Sequence, residues 1–254
     1  VGRRFDPDRA HGESDRLLCG HISKQSGVHK TVPLSVLKRA SSLLLIVAPL
    51  TTLAISPWFN FDPINLIKIL VLTCITTMTL GLFLPYTKQF FASLGFPTIL
   101  LSTVFLLSLL SAFLFNQTDK AQQFWGIFGR GTGILSYVAL VLLFILSSAL
   151  ASREFNKKAI FSLLITTSIM VVYCFIQILG RDPIDWSAFF PFGTLGNVNF
   201  LSGFMGVALV SVLVVFLSPA LTSYMRIYLG FLMVAGLFAL LQKQFDARSC
   251  GPLR

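Results

Sequence analysis

The sequence predicts an all-α protein: a polytopic transmembrane helix bundle of about seven spans, with its N-terminus in the cytoplasm. Three observations point there. Of 254 residues, 55% are hydrophobic and only 12% are charged. An ordinary soluble domain has roughly 25% charged residues. Mean hydropathy is +0.80. The apolar residues also fall in long runs, and about 140 of them suffice for roughly seven crossings of about 20 residues each. This composition excludes a soluble enzyme, a disordered chain and a disulfide scaffold. The runs lack the in-and-out alternation of a membrane barrel.

The elements follow in order. Residues 1–35 contain all three histidines, His11, His21 and His29, and eight Lys/Arg with four Asp/Glu fall within 1–39. The stretch is polar, aperiodic and without the apolar core of a signal peptide, so it reads as a disordered basic cytoplasmic arm. Its histidine spacing is too loose for a metal site. Hydropathy then places spans at about 40–56, 64–84, 97–115, 133–150, 159–179, 200–218 and 227–241, within a transmembrane domain of residues 36–241. The last span is short, near the lower limit for crossing. Residues 242–254 change texture abruptly and read as an atypical tail after a truncation or frame change. The chain opens on Val1, which also suits a fragment. Cys74 and Cys174 lie within apolar runs and behave as small hydrophobes. None of the four cysteines has metal-ligand spacing. No metal and no cofactor is predicted.

Basic residues set the orientation. Lys38 and Arg39 precede the first span. With the N-terminus inside, the inner loops hold Lys88, Arg153, Lys157, Lys158 and Arg226, and the outer loops hold Lys120, Arg130 and Arg181. The net charge of +10 is therefore a topology signal, and nucleic acid is not a predicted partner. The inner connectors, 85–89, 152–158 and 219–226, are plain. The outer segments, 57–63, 116–132 and 180–199, are richer and hold Trp58, Trp125 and Trp186. An interfacial aromatic belt accounts for those tryptophans. Polar and glycine-rich chemistry concentrates on that side, so a site belongs there.

In the first outer segment, Asp62 and Pro63 suit the start of a helix. Lys68 lies about one turn into the second span, where an ammonium either snorkels or faces a polar cavity. The second segment contains Gly126, Gly129, Arg130, Gly131 and Gly133. Glycines expose backbone N–H groups that can line an anion site, and arginine offers a planar fork suited to phosphate. An interfacial turn with a snorkelling Arg130 is the alternative. No strand–turn–helix unit surrounds the glycines, so this is no dinucleotide motif. The third segment contains Arg181 and Asp182, which read as a surface pair. Gly193, Gly196, Asn197 and Asn199 then lead into a helix that carries Gly203. Asn199 suits the N-cap, and the small residues suit close helix packing. No carboxylate lies within any predicted span, which counts against an ion-coupled carrier.

Three stretches in this order resemble the amino-terminal half of the bacterial O-antigen ligase and O-antigen polymerase family. They are Phe61-Asp62-Pro63-Ile64-Asn65-Leu66-Ile67-Lys68, Phe124-Trp125-Gly126 with Gly129-Arg130-Gly131-Thr132-Gly133, and Gly193-Thr194-Leu195-Gly196-Asn197-Val198-Asn199-Phe200. Members commonly have proline where this chain has Val198. The resemblance covers roughly residues 35–241. It implies a multi-pass enzyme of the bacterial inner membrane that transfers a glycan from a polyprenyl diphosphate carrier to a glycan or lipid acceptor on the periplasmic face. It implies Arg130 and Arg181 as candidates for holding the diphosphate, and Lys68, a further basic group near the outer face, is a third candidate on charge alone. The family's proposed histidine lies in a later loop with no counterpart here, so no catalytic residue is assigned. The alternative is a membrane transporter or flippase of lipid-linked or polar substrates.

Overall fold

The computed structural model describes residues 32–56, 64–127, 131–182, 184, 192–219 and 221–249, with side chains described through Leu241. Its helices are α1 (Leu34–Leu53), α2 (Asn65–Phe83), α3 (Thr87–Ser93), α4 (Phe96–Phe115), α5 (Lys120–Trp125), α6 (Ile134–Leu150), α7 (Arg153–Ile178), α8 (Val198–Phe216) and α9 (Ser223–Ser249). Two 3-10 turns, Leu84–Tyr86 and Gly193–Leu195, join them, and there is no strand among the described residues. The first 3-10 turn carries α2 into α3, so that Asn65–Ser93 is one rod. With that rod, six helices are long and apolar enough to cross a membrane. The apolar helix α6, with 17 residues, is the shorter seventh. The chain is an all-α polytopic bundle.

Several boundaries differ from the hydropathy reading. The short element is α6, not the run at 227–241. The last helix begins earlier, at Ser223, because Arg226 lies in its first turn and turns its guanidinium onto the Ser218 carbonyl at 3.4 Å. It also continues to Ser249, past the change of texture at 242. Helix α1 starts at Leu34 rather than near Ala40. Val32 and Leu37 are buried against Phe83, Phe90, Leu146 and Leu150, so packing sets the start and Lys38 and Arg39 fall within the helix.

The inner connectors are mostly helix. Phe90 in α3 is buried, its ring 5.0 Å from that of Phe83. This contact extends the second span straight through 85–89. Helix α7 likewise starts at Arg153. The Ser152 hydroxyl oxygen accepts a bond from the Phe155 N–H at 3.1 Å. Glu154 occupies the first turn, where the dipole favours an anion. Residues 1–31 of the basic arm, with its histidines, lie outside the described residues.

Helix α1 is the hub and packs on α2, α6 and α7, while α8 and α9 pair and lean on α7. Helix α4 packs on α6, and Ser102 is its one buried residue. Large apolar side chains such as Leu101, Leu107, Phe231 and Val234 face outward, as lipid contact requires. Thr76, Thr79, Thr166 and Thr167 are fully buried, yet each donates its hydroxyl to the carbonyl four residues back. Their polarity is satisfied within the helix, and their small size allows close approach between helices.

Candidate functional site

The described parts of the second and third outer segments meet the flanks of the first, residues 51–56 and 64–68, at one end of the bundle. The C-terminus of α1, the N-terminus of α2, the C-terminus of α7 and the turn before α8 converge there. Ile64 packs beneath Gly196, and Ile69 packs beneath Gly131. Contacts spanning 62 and 132 positions thus reach the N-cap and first turns of α2.

Lys68 is the first link. Its ammonium donates to the carbonyl oxygens of Thr52 at 2.6 Å and Thr51 at 3.0 Å. These carbonyls belong to the last turn of α1, where oxygens lack helical partners and a cation suits the dipole. The Thr194 hydroxyl donates to the same Thr52 oxygen at 2.7 Å. Lys68 therefore neither snorkels nor stands in an open polar cavity. It closes the end of α1 and ties it to α2.

The second link is at the end of α7. Gly180 adopts φ 63, and the Arg181 N–H returns to the Ile176 carbonyl at 3.1 Å. This αL reversal swings the chain back over the helix. Asp182 then lies against its own helix. Its carboxylate accepts from the Tyr173 hydroxyl at 3.1 Å, from the Gln177 amide nitrogen at 2.9 Å and from the Ile184 N–H at 3.0 Å. The Gln177 amide oxygen accepts from two successive backbone N–H groups, Phe192 at 3.1 Å and Gly193 at 2.9 Å. The expected pair of Arg181 with Asp182 does not form. Asp182 faces inward, and Arg181 is exposed with no side-chain partner among the described residues.

Gly193 and Gly196 build the turn itself. Both have positive φ, 58 and 71. A Cβ at Gly193 would lie 2.5 Å from the Met170 sulfur, and one at Gly196 would lie 2.5 Å from Ile64 Cδ1. Both conformation and space demand glycine. Asn197, rather than Asn199, is the N-cap of α8. Its side-chain oxygen accepts from the Asn199 N–H at 2.8 Å, because the left-handed Gly196 places residue 197, not 199, in the extended cap conformation. Gly203 is not a packing notch either. A Cβ there would meet nothing within 4 Å. The tight helix contact is at Gly236, where a Cβ would lie 2.8 Å from Leu209 Cδ2.

In the second outer segment, Asp119 caps α5 through the Gln122 N–H. Lys120 donates to the carbonyls of Phe113 at 2.5 Å and Asn116 at 3.1 Å, closing the end of α4. Gly126 and Gly133 stand back to back, so close that a Cβ at Gly126 would lie 2.5 Å from the Gly133 nitrogen. The Gly131 N–H donates to the Ile127 carbonyl at 3.1 Å. The loop between them is therefore tightly closed at its base. Gly129 and Arg130 lie outside the described residues, as do Asp62, Pro63, Trp58 and Trp186. Trp125 is exposed at the end of α5. An open apolar groove of about 330 Å³ runs beside it, lined by Leu106, Leu110, Phe113, Phe124, Ile134 and Val138.

The sequence reading missed Tyr173, Gln177, Thr52 and Thr194. For Tyr173 and Gln177 a signal exists: two polar residues one turn apart at the end of an apolar run, followed by Gly180 and Asp182. For the Thr52 carbonyl none exists, since any residue carries one.

Together the fold and this end define a multi-pass helical membrane protein with a polar, glycine-lined cluster at the helix termini. No protein-family model, no curated protein and no solved structure matches the chain.

Proposed function

We propose that this glycine-lined end binds the diphosphate of a polyprenyl-linked glycan, and that the protein serves transfer of that glycan to an acceptor on the periplasmic face of the bacterial inner membrane. The observation that carries the reading is the convergence of the second and third motif-bearing segments, through Gly131 and Gly196, on the start of α2, which itself carries Asn65 to Lys68 of the first. A diphosphate leaving group needs fixed positive charge where negative charge develops. Of the outer cations, Lys68 and Lys120 are turned onto helix-end carbonyls. Arg181, exposed beside the cluster, remains for the phosphates, and Arg130, next in sequence to Gly131, is proposed to join it. Arginine forks suit that contact. The open apolar groove lined by α4, Phe124 of α5 and α6 suits a hydrocarbon chain. The proposal concerns carrier recognition and names no catalytic base.

The test uses the protein in lipid nanodiscs with farnesyl diphosphate as probe, read by native mass spectrometry. The diphosphate is expected to bind more tightly than farnesol. The double variant Arg130→Ala/Arg181→Ala should weaken it at least tenfold, the scale of a lost charged hydrogen bond. Equal binding by wild type and variant would remove both arginines from the site. Ion-gradient-driven uptake of a polar solute, with no diphosphate binding, would favour the transporter instead.

A further inference from the structure

We infer that Gln177 is the positioning residue of the outer turn, its carboxamide holding Phe192 and Gly193 against the end of α7 so that the carrier-binding face proposed above keeps its shape. The inference rests on that reading for its functional half only.

The geometry is directional. Backbone N–H groups only donate, so the Phe192 and Gly193 amides require an acceptor, and the Gln177 oxygen serves both. A carboxylate only accepts, so Asp182 requires donors, and the Gln177 NH₂ is one of them at 2.9 Å. One carboxamide therefore satisfies an acceptor demand on one side and a donor demand on the other. The consequence reaches further. Gly193 precedes Thr194, whose hydroxyl shares the Thr52 oxygen with Lys68. Gln177 thus links α7, through the turn, to the joined ends of α1 and α2.

Among the described residues, the titratable groups facing the carboxamide are Asp182 and Tyr173, and the turn meets it through the Phe192 and Gly193 backbone. Lys68 reaches the turn indirectly through Thr52, and Arg181 points to solvent. This makes the charge-changing substitution diagnostic. In Gln177→Glu, the introduced carboxylate still accepts from the two N–H groups but faces the Asp182 carboxylate with no proton between them. Adding one proton restores the pattern: an oxygen for the N–H groups and an O–H for the facing carboxylate. Gln177→Met removes both donor and acceptor at every pH.

Hydrogen exchange of the peptide covering residues 192–197 is compared with wild type at equal pH, in nanodiscs. For Gln177→Glu, exchange is expected about tenfold faster than wild type at pH ~7.5 and close to wild type at pH ~4, where one of two facing carboxyls takes up a proton. Gln177→Met should exchange faster at both, and it keeps the test readable if the carboxylate variant does not fold. Wild-type exchange in Gln177→Met, or no recovery of Gln177→Glu in acid, overturns the positioning role. Farnesyl diphosphate binding is measured on the same samples and should weaken wherever exchange quickens. If wild type binds but a loosened variant binds equally well, Gln177 does not position the carrier site. If wild type fails to bind while exchange behaves as expected, the carrier reading falls and the turn-holding role of Gln177 stands.

Discussion

The Lys68 ammonium lies 2.6 Å from the main-chain carbonyl oxygen of Thr52. A lysine one turn inside a membrane helix invites a functional reading, because charge is costly there. Here the charge meets the open end of a neighbouring helix, where unpaired carbonyls and the helix dipole both favour a cation. Thr194 adds a hydroxyl to the same oxygen, so one carbonyl gathers three chain segments. The contact explains why the polar end of the bundle is ordered around α2.

Removing the ammonium should therefore act on stability first. Lys68→Met is expected to lower the unfolding free energy by about 1–2 kcal/mol, the range for a charged hydrogen bond tempered by membrane values. Denaturant titration in micelles measures it. Unchanged stability combined with lost diphosphate binding would return Lys68 to the list of phosphate ligands.

The glycines divide into two groups with opposite responses. Gly193→Ala and Gly196→Ala each force a side chain into a left-handed backbone and onto a neighbour 2.5 Å away. Each should cost about 1–3 kcal/mol. Gly203→Ala, in α8 with nothing within 4 Å, should gain up to about 1 kcal/mol from helix propensity. Thermal unfolding of the three variants side by side decides the matter, and a uniform response would contradict it.

At the opposite end, Phe90 holds the α2–α3 rod together. Phe90→Ala should cost about 3 kcal/mol, as deletion of a buried aromatic ring does. Its neighbour Phe91 is 62% exposed, and Phe91→Ala should stay within about 0.5 kcal/mol, the usual surface range. A proteolysis assay across 84–96 reports the same contrast as faster cleavage in the first variant alone.

The orientation proposed from the basic residues predicts labelling sides. In a cysteine-free background, Arg181→Cys should react with a membrane-impermeant maleimide added to intact spheroplasts. Lys157→Cys should react only after permeabilisation. The reverse pattern would put the N-terminus outside and move the polar end to the cytoplasm.

Much of this architecture was legible in the residues. The runs near 64–84, 97–115 and 133–150 match α2, α4 and α6 within a residue or so, because each is bounded by polar or glycine-rich segments. The starts of α1 and α7 were not legible. There the helix extends into charged sequence, stabilised by Val32 packing at one and by the Ser152 cap at the other. The candidate site shows the same division. Gly193 and Gly196 stood out as unusual chemistry in sequence, whereas Gln177 sits within the apolar run of α7, and its role depends on the fold bringing Asp182 and the Gly193 turn to it.

Hydropathy by itself determined that the chain is a helical bundle with several membrane-crossing segments, and where most of them lie. That property is one-dimensional: span length and apolar run are read along the chain. Which helices touch, and what the outer residues do, belonged to the tertiary structure. Lys68 meets a carbonyl 16 residues away, and Thr194 meets the same one across 142 residues. Both act on backbone oxygens that carry no signature of their own, so only the packing of α1 against α2 and α7 selects that carbonyl from the rest.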